Sequence, residues 1–164
     1  MASKDTFTIH PIKKLLDRYV KPGELWVDPF CGWNSPAQIT NDHNPAVTPA
    51  KSHMEAEDFV KMLDGSYDGI LFDPPYSYRQ VSEHYQVIGK KATQLDTSTN
   101  FYNRVKEPIA PKIKPSGLAI CFGWNSNGFG KKWGFEMIEI LLVAHGGHHN
   151  DTIVTVERKL YGTL

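Results

Sequence analysis

The sequence of 164 residues predicts an α/β fold with a mostly parallel sheet and helices on both of its faces. Apolar segments such as Leu25-Trp26-Val27, Ile70-Leu71-Phe72 and Leu118-Ala119-Ile120-Cys121-Phe122 read as buried strands. Most are separated by helical or turn segments, the alternation that produces parallel strands. Acidic residues or glycine stand where the expected strands end: Asp28, Asp42, Glu55, Asp73 and Gly123. Ligands of such sheets sit beyond the carboxyl ends of the strands. Those five positions therefore converge on one candidate edge.

Each element has a local reason. Residues 7–20 carry Ile9, Ile12, Leu15, Leu16 and Tyr19 at helical spacing, with Pro11 in the first turn and Lys21-Pro22-Gly23 as the stop. Leu25-Trp26-Val27 is a short strand running into Asp28-Pro29-Phe30-Cys31-Gly32, a glycine-containing loop of the kind that lets backbone approach a ligand. Residues 38–42 and 51–56 read as two further strands, and Glu57 to Leu63 as a short helix with Phe59, Val60 and Leu63 inward. Gly65-Ser66 breaks that helix, and the strand ending at Asp73 follows. Residues 80–90 read as a helix, 91–99 as a polar loop, and 101–112 as a helix interrupted by Pro108 and Pro111. Pro115-Ser116-Gly117 is a turn before the strand at 118–122. Residues 135–143 and 152–159 are β-rich and joined by a hairpin through His145, His148 and His149, which lack the carboxylates a metal site would add. The tetrapeptide Gly-Trp-Asn-Ser occurs twice, at 32–35 and 123–126, each time after an expected strand.

The length suits one domain, residues 1–164, large enough for a true core. No apolar run reaches the roughly 18–20 residues of a membrane span. The opening Met1-Ala2-Ser3-Lys4-Asp5 has no apolar run of the secretory type. Cys31 and Cys121 lack CxxC spacing, so reduced thiols in a cytoplasmic protein are expected. Lysine plus arginine equals aspartate plus glutamate, 18 of each, but the charge is uneven. Residues 77–135 hold nine basic residues against three acidic ones, while residues 1–76 hold seven against eleven. A basic segment next to the candidate edge suits a phosphate-bearing partner.

Leu71-Phe72-Asp73-Pro74-Pro75-Tyr76-Ser77 is the most informative stretch. Two prolines cannot continue a sheet ladder, so the strand stops at Asp73, and Pro74 keeps Asp73 extended. The tip then offers a carboxylate, a backbone carbonyl and the ring of Tyr76. That set suits a flat molecule with an NH2 group: two acceptors for two N–H donors and a ring to stack on the plane.

Asp28-Pro29-Phe30-Cys31-Gly32 and Asp73-Pro74-Pro75-Tyr76 resemble the cofactor loop and catalytic tetrapeptide of S-adenosylmethionine-dependent DNA amino-methyltransferases, adenine-N6 type, with the DPPY motif. Phe7-Thr8-Ile9-His10-Pro11-Ile12 is similar to the segment that often precedes the cofactor loop in those enzymes, and Asn150-Asp151-Thr152-Ile153-Val154 to the closing strands of their fold. The resemblance implies a Rossmann-like, seven-stranded methyltransferase fold with one antiparallel strand. It implies Asp73, Pro74, Pro75 and Tyr76 as catalytic residues. Asp28, Phe30 and Gly32 would line the methionine part of S-adenosyl-L-methionine and Asp42 would hold its ribose, with Asp73 also a cofactor-binding residue. Glu55 and Ala56 would recognise its adenine, with Glu57 or Asp58 as alternatives to Glu55. No metal is implied.

The partner implied is DNA, with RNA as the alternative. Arg79, Lys90, Lys91, Arg104, Lys131 and Lys132 are the phosphate-contact candidates. The resemblance also implies a small single-domain form without a separate target-recognition domain, a homodimer or specificity subunit as further partner, and the cytoplasm of a bacterial or phage-infected cell. Two other activities fit the same residues: base-amine methylation of ribosomal RNA, and a catalytically inactive binding protein on the same fold. Asn34 replaces the second glycine usual in the cofactor loop. Only about nine residues, Pro36 among them, separate Gly32 from Asp42, so the helix usual there is expected to shrink to a turn.

Overall fold

The computed structural model describes residues 5–75, 89, 99–147 and 150–160. Tyr76, Arg79, Lys90, Lys91, the helix expected at 80–90, His148 and His149 lie outside the described residues. Among the described residues, helix α1 spans His10–Tyr19, α2 Ala56–Met62 and α3 Thr99–Ile109. The strands are β1 (Trp26–Asp28), β2 (Ile39–Thr40), β3 (Tyr67–Phe72), β4 (Ile113–Gly123), β5 (Phe135–Val143) and β6 (Thr152–Lys159). They form one sheet in the order β2-β1-β3-β4-β6-β5. The first four pair in parallel, and β6 runs antiparallel to both β4 and β5. The Rossmann-like α/β expectation holds, including the single antiparallel strand, with six strands among the described residues where seven were expected. No described helix is long and apolar enough to cross a membrane.

The alternation along the central strands splits the core in two. Ile70, Phe72, Ala119 and Cys121 face α2 and α3, packed with Phe59, Val60, Val105 and Ile109. Leu71, Ile120 and Phe122 face the other way, onto Ile12, Leu15 and Leu16 of α1. Side chains point alternately to the two faces of a strand, so one apolar run feeds both layers. Gly69 is needed for this packing, because a Cβ there would lie 2.4 Å from the Trp26 ring. Arg18 and Tyr19 on α1 both donate to Glu139 of β5, at 2.5 Å from each, which ties the helix to the sheet's far strand.

Several boundaries differ from expectation. The strand expected at 51–56 is reduced to one bridge, Asn41 with Ser52. The Asn41 side chain takes over the ladder's role: its Oδ1 accepts from the Met54 N–H and its Nδ2 donates to the Met54 carbonyl. Glu55 then becomes the residue that precedes α2, and Ala56 the first residue within it. The Pro115-Ser116-Gly117 turn lies inside β4 as an irregularity of its pairing with β3, with Ser116 at φ 64°. The first helix starts at His10, because Thr6–Thr8 forms a separate 3-10 turn.

Candidate active site

The carboxyl ends of β1, β3 and β4 lie side by side, since β3 pairs with both neighbours in parallel. Asp28 ends β1 and is fully buried. Its Oδ1 accepts from the Phe30 N–H at 2.9 Å and its Oδ2 from the Ser35 hydroxyl at 2.5 Å. Burial pushes its carboxyl up to about 7, with the Asp42 charge adding to the rise and the Ser35 and Phe30 hydrogen bonds opposing it. Asp73 follows β3 and is 1 % exposed. Burial first, and the nearby Asp28 second, hold its carboxyl well above the usual range; a Thr6 hydrogen bond works against them. Two like charges close together in a dry site raise each other's proton affinity.

The loop after β1 is fixed at both ends. The Cys31 N–H donates to the Asn41 carbonyl, and the Asn41 side chain donates to the Pro29 carbonyl. The Gly32 N–H donates to Asp42 Oδ2 at 3.0 Å, while Asp42 Oδ1 accepts from the Asn44 N–H. Gly32 has φ 52°, a left-handed conformation that glycine adopts without strain, and an added Cβ would meet nothing within 4 Å. Residues 33–38 contain no helix, as the short spacing to Asp42 predicts. Phe30 packs edge-on against Phe72 at 5.5 Å, so the cofactor-type loop touches the residue just before Asp73.

Beyond Asp73, Pro74 is buried and the Pro75 carbonyl accepts from the Tyr102 hydroxyl at 2.9 Å. The tandem prolines are thus anchored to α3. The Lys106 ammonium lies 5.4 Å from the centres of the Phe72 and Phe129 rings and donates to the Gly128 carbonyl. Glu157 accepts from the Phe129 and Gly130 N–H groups, at 2.5 and 2.8 Å, and so holds the segment after β4 against the sheet.

Of the residues singled out in the sequence, Asp28, Phe30, Gly32, Asp42, Asp73, Pro74 and Pro75 share this edge. Glu55 stands next to it, its carboxylate 3.1 Å from His43 Nδ1. Glu57 engages Lys61 and Arg104 instead, so Arg104 meets a carboxylate at 3.4 Å. Lys131 and Lys132 lie elsewhere. Phe135, just after them, pairs with Lys159, and Arg158 pairs with Leu118, near the amino end of β4's apolar run. Gly123, at the other end of that strand, pairs with Ile153. Between β4 and β5 the chain runs back across the sheet, so the phosphate-contact candidates Lys131 and Lys132 stand toward the end opposite Gly123. Thr6, Ser35, Asn41 and Tyr102 were missed, because each acts through a partner that only the fold brings near.

No protein-family model matches the sequence, and no curated protein matches it. Solved structures do share the fold, which is the Rossmann-like fold of methyltransferases. TrmN from Thermus thermophilus is similar at a TM-score of 0.58 and 16 % identity, over 90 % of this chain but 48 % of its own. The N-methyltransferase NodS from Bradyrhizobium japonicum WM9 is similar at 0.62 and 9 % identity, over 96 % of this chain and 98 % of its own. The 1,6-didemethyltoxoflavin-N1-methyltransferase from Burkholderia thailandensis, solved with S-adenosylhomocysteine, is similar at 0.61 and 13 % identity, over 96 % and 82 %.

Proposed function

We propose that residues 1–164 form one methyltransferase domain that transfers a methyl group from S-adenosyl-L-methionine to the N6 amine of adenine in DNA. One observation carries this reading: a buried carboxyl at Asp73, beside a second at Asp28, opens a rigid Asp-Pro-Pro tip that Tyr102 anchors.

The residues present fit that cofactor. Gly32 presents backbone to open space, and two buried carboxyls with raised proton affinity favour a cation beside them. Asp28, Phe30 and Gly32 would hold its methionine part, Asp42 its ribose, and Glu55 with the backbone of Ala56 its adenine. Asp42 accepts from the Gly32 and Asn44 N–H groups and so stands against the same loop. When bound, S-adenosylmethionine supplies an electrophilic methyl group on a sulfonium centre.

The chain's own contribution is positioning and proton handling. Asp73 and the Pro74 carbonyl accept the two N–H bonds of the target amine and favour a more pyramidal nitrogen. Bonds to a charged acceptor contribute on the order of 1.5–3 kcal/mol. Tyr76 stacks on the base; base–aromatic stacking gives roughly 1–3 kcal/mol. That offsets part of the few kcal/mol needed to unstack a base from a duplex. The raised proton affinity of Asp73 suits it to take the amine proton as positive charge builds on nitrogen.

The test is incubation with labelled cofactor and unmodified DNA or RNA, followed by nucleoside mass analysis. N6-methyladenosine from DNA is expected as the deoxynucleoside. Label in RNA alone would replace the DNA reading with the RNA one. Absence of label in both, with no cofactor binding at millimolar concentration, would leave a binding protein on this fold.

A further inference from the structure

The function proposed above uses only Gly32 of the repeated Gly-Trp-Asn-Ser tetrapeptide. The structure gives the repeat a shared place. One copy follows the carboxyl end of β1, and the other begins on the last residue of β4. β3 lies between those two strands. Adjacent strands are about 4.8 Å apart, so the ends of β1 and β4 stand roughly 10 Å apart across β3. The Asp73-Pro74-Pro75 tip is therefore flanked on each side by a loop that carries a tryptophan.

Both indoles are at the surface. Trp33 is 46 % exposed and Trp124 42 %, whereas Trp26 is fully buried. Polar residues of the same loops have structural work. Ser35 donates to Asp28, and Asn125 Oδ1 accepts from the Asn127 N–H. These bonds shape the loops, and both rings are partly exposed on them. An indole face is a stacking platform that every unpaired base fits. A base inside a duplex already has both faces covered.

We propose that Trp33 and Trp124 are stacking platforms for unpaired bases flanking the one held at Asp73, so that the chain takes single-stranded or locally opened nucleic acid. This rests on the reading that a nucleobase occupies the Asp73 tip.

Tryptophan emission of the full chain, without cofactor, tests it. The probes are a 12-nucleotide single-stranded DNA, the RNA of the same sequence and the blunt DNA duplex. Saturable quenching by a single strand is expected, with the duplex binding at least about tenfold more weakly. Trp33→Ala and Trp124→Ala should each weaken single-strand binding by about 5- to 150-fold, the equivalent of one lost stacking contact. The DNA and RNA arms identify which polymer the platforms prefer. Unchanged single-strand affinity in both variants, or equal affinity for the duplex, would overturn the proposal. The two readings can fail separately. Tryptophan-dependent binding without methyl transfer would refute only the enzyme. Methylation of duplex DNA untouched by either substitution would refute only the platforms.

Discussion

Asp28→Asn isolates the cost of keeping a carboxyl buried for a ligand. The folded carboxyl titrates at about 7, against 3.8 for the ordinary group. Its folded value is raised, so the native state binds the proton more tightly than the unfolded chain. Stability from this group is complete below about pH 4, falls as pH rises to 7, and stays low above that. At 1.36 kcal/mol per unit, the full loss is on the order of 4 kcal/mol, and about 3 kcal/mol of it falls between pH 5 and pH 8. That is large beside the roughly 5–15 kcal/mol that holds a domain together. Asparagine keeps an acceptor for the Phe30 N–H and can donate to Ser35 Oγ, so packing survives. Differential scanning calorimetry of both proteins at pH 5 and pH 8 reads the effect. About 2–4 °C per kcal/mol applies at this size, so wild type should lose roughly 6–12 °C more than the variant between those pH values. Parallel melting curves would refute the assignment of a strained, buried carboxyl at the end of β1.

Two further substitutions probe the supports of the site. Tyr102→Phe removes the hydroxyl that the Pro75 carbonyl accepts from, and should cost about 1 kcal/mol in urea unfolding while lowering kcat more than cofactor affinity. Asn41→Ala strips three hydrogen bonds that join the Pro29 carbonyl to the Met54 backbone, and should destabilise by about 2–4 kcal/mol and weaken cofactor binding in calorimetry.

The central sheet was legible because its strands are apolar throughout and end in residues a strand cannot use. Asp28 and the Asp73-Pro74-Pro75 tip announce themselves in this way, and the structure buries both carboxyls at one edge. The residues that hold them were not legible. Thr6 reaches Asp73 from a 3-10 turn at the start of the chain, and Ser35 reaches Asp28 only because Gly32 turns the loop. Nothing in local spacing encodes such pairings. The strand expected at 51–56 fails for a related reason: a side-chain amide, invisible to periodicity, satisfies Met54 in place of a ladder.

In the proposed reaction the Asp73 carboxyl orients the accepting amine. Methyl transfer to DNA by Asp73→Ala, measured beside cofactor affinity and melting temperature of the same protein, tests it most directly. No detectable N6-methyladenine is expected from a folded variant that still binds S-adenosylmethionine. Turnover near that of the wild type would contradict it.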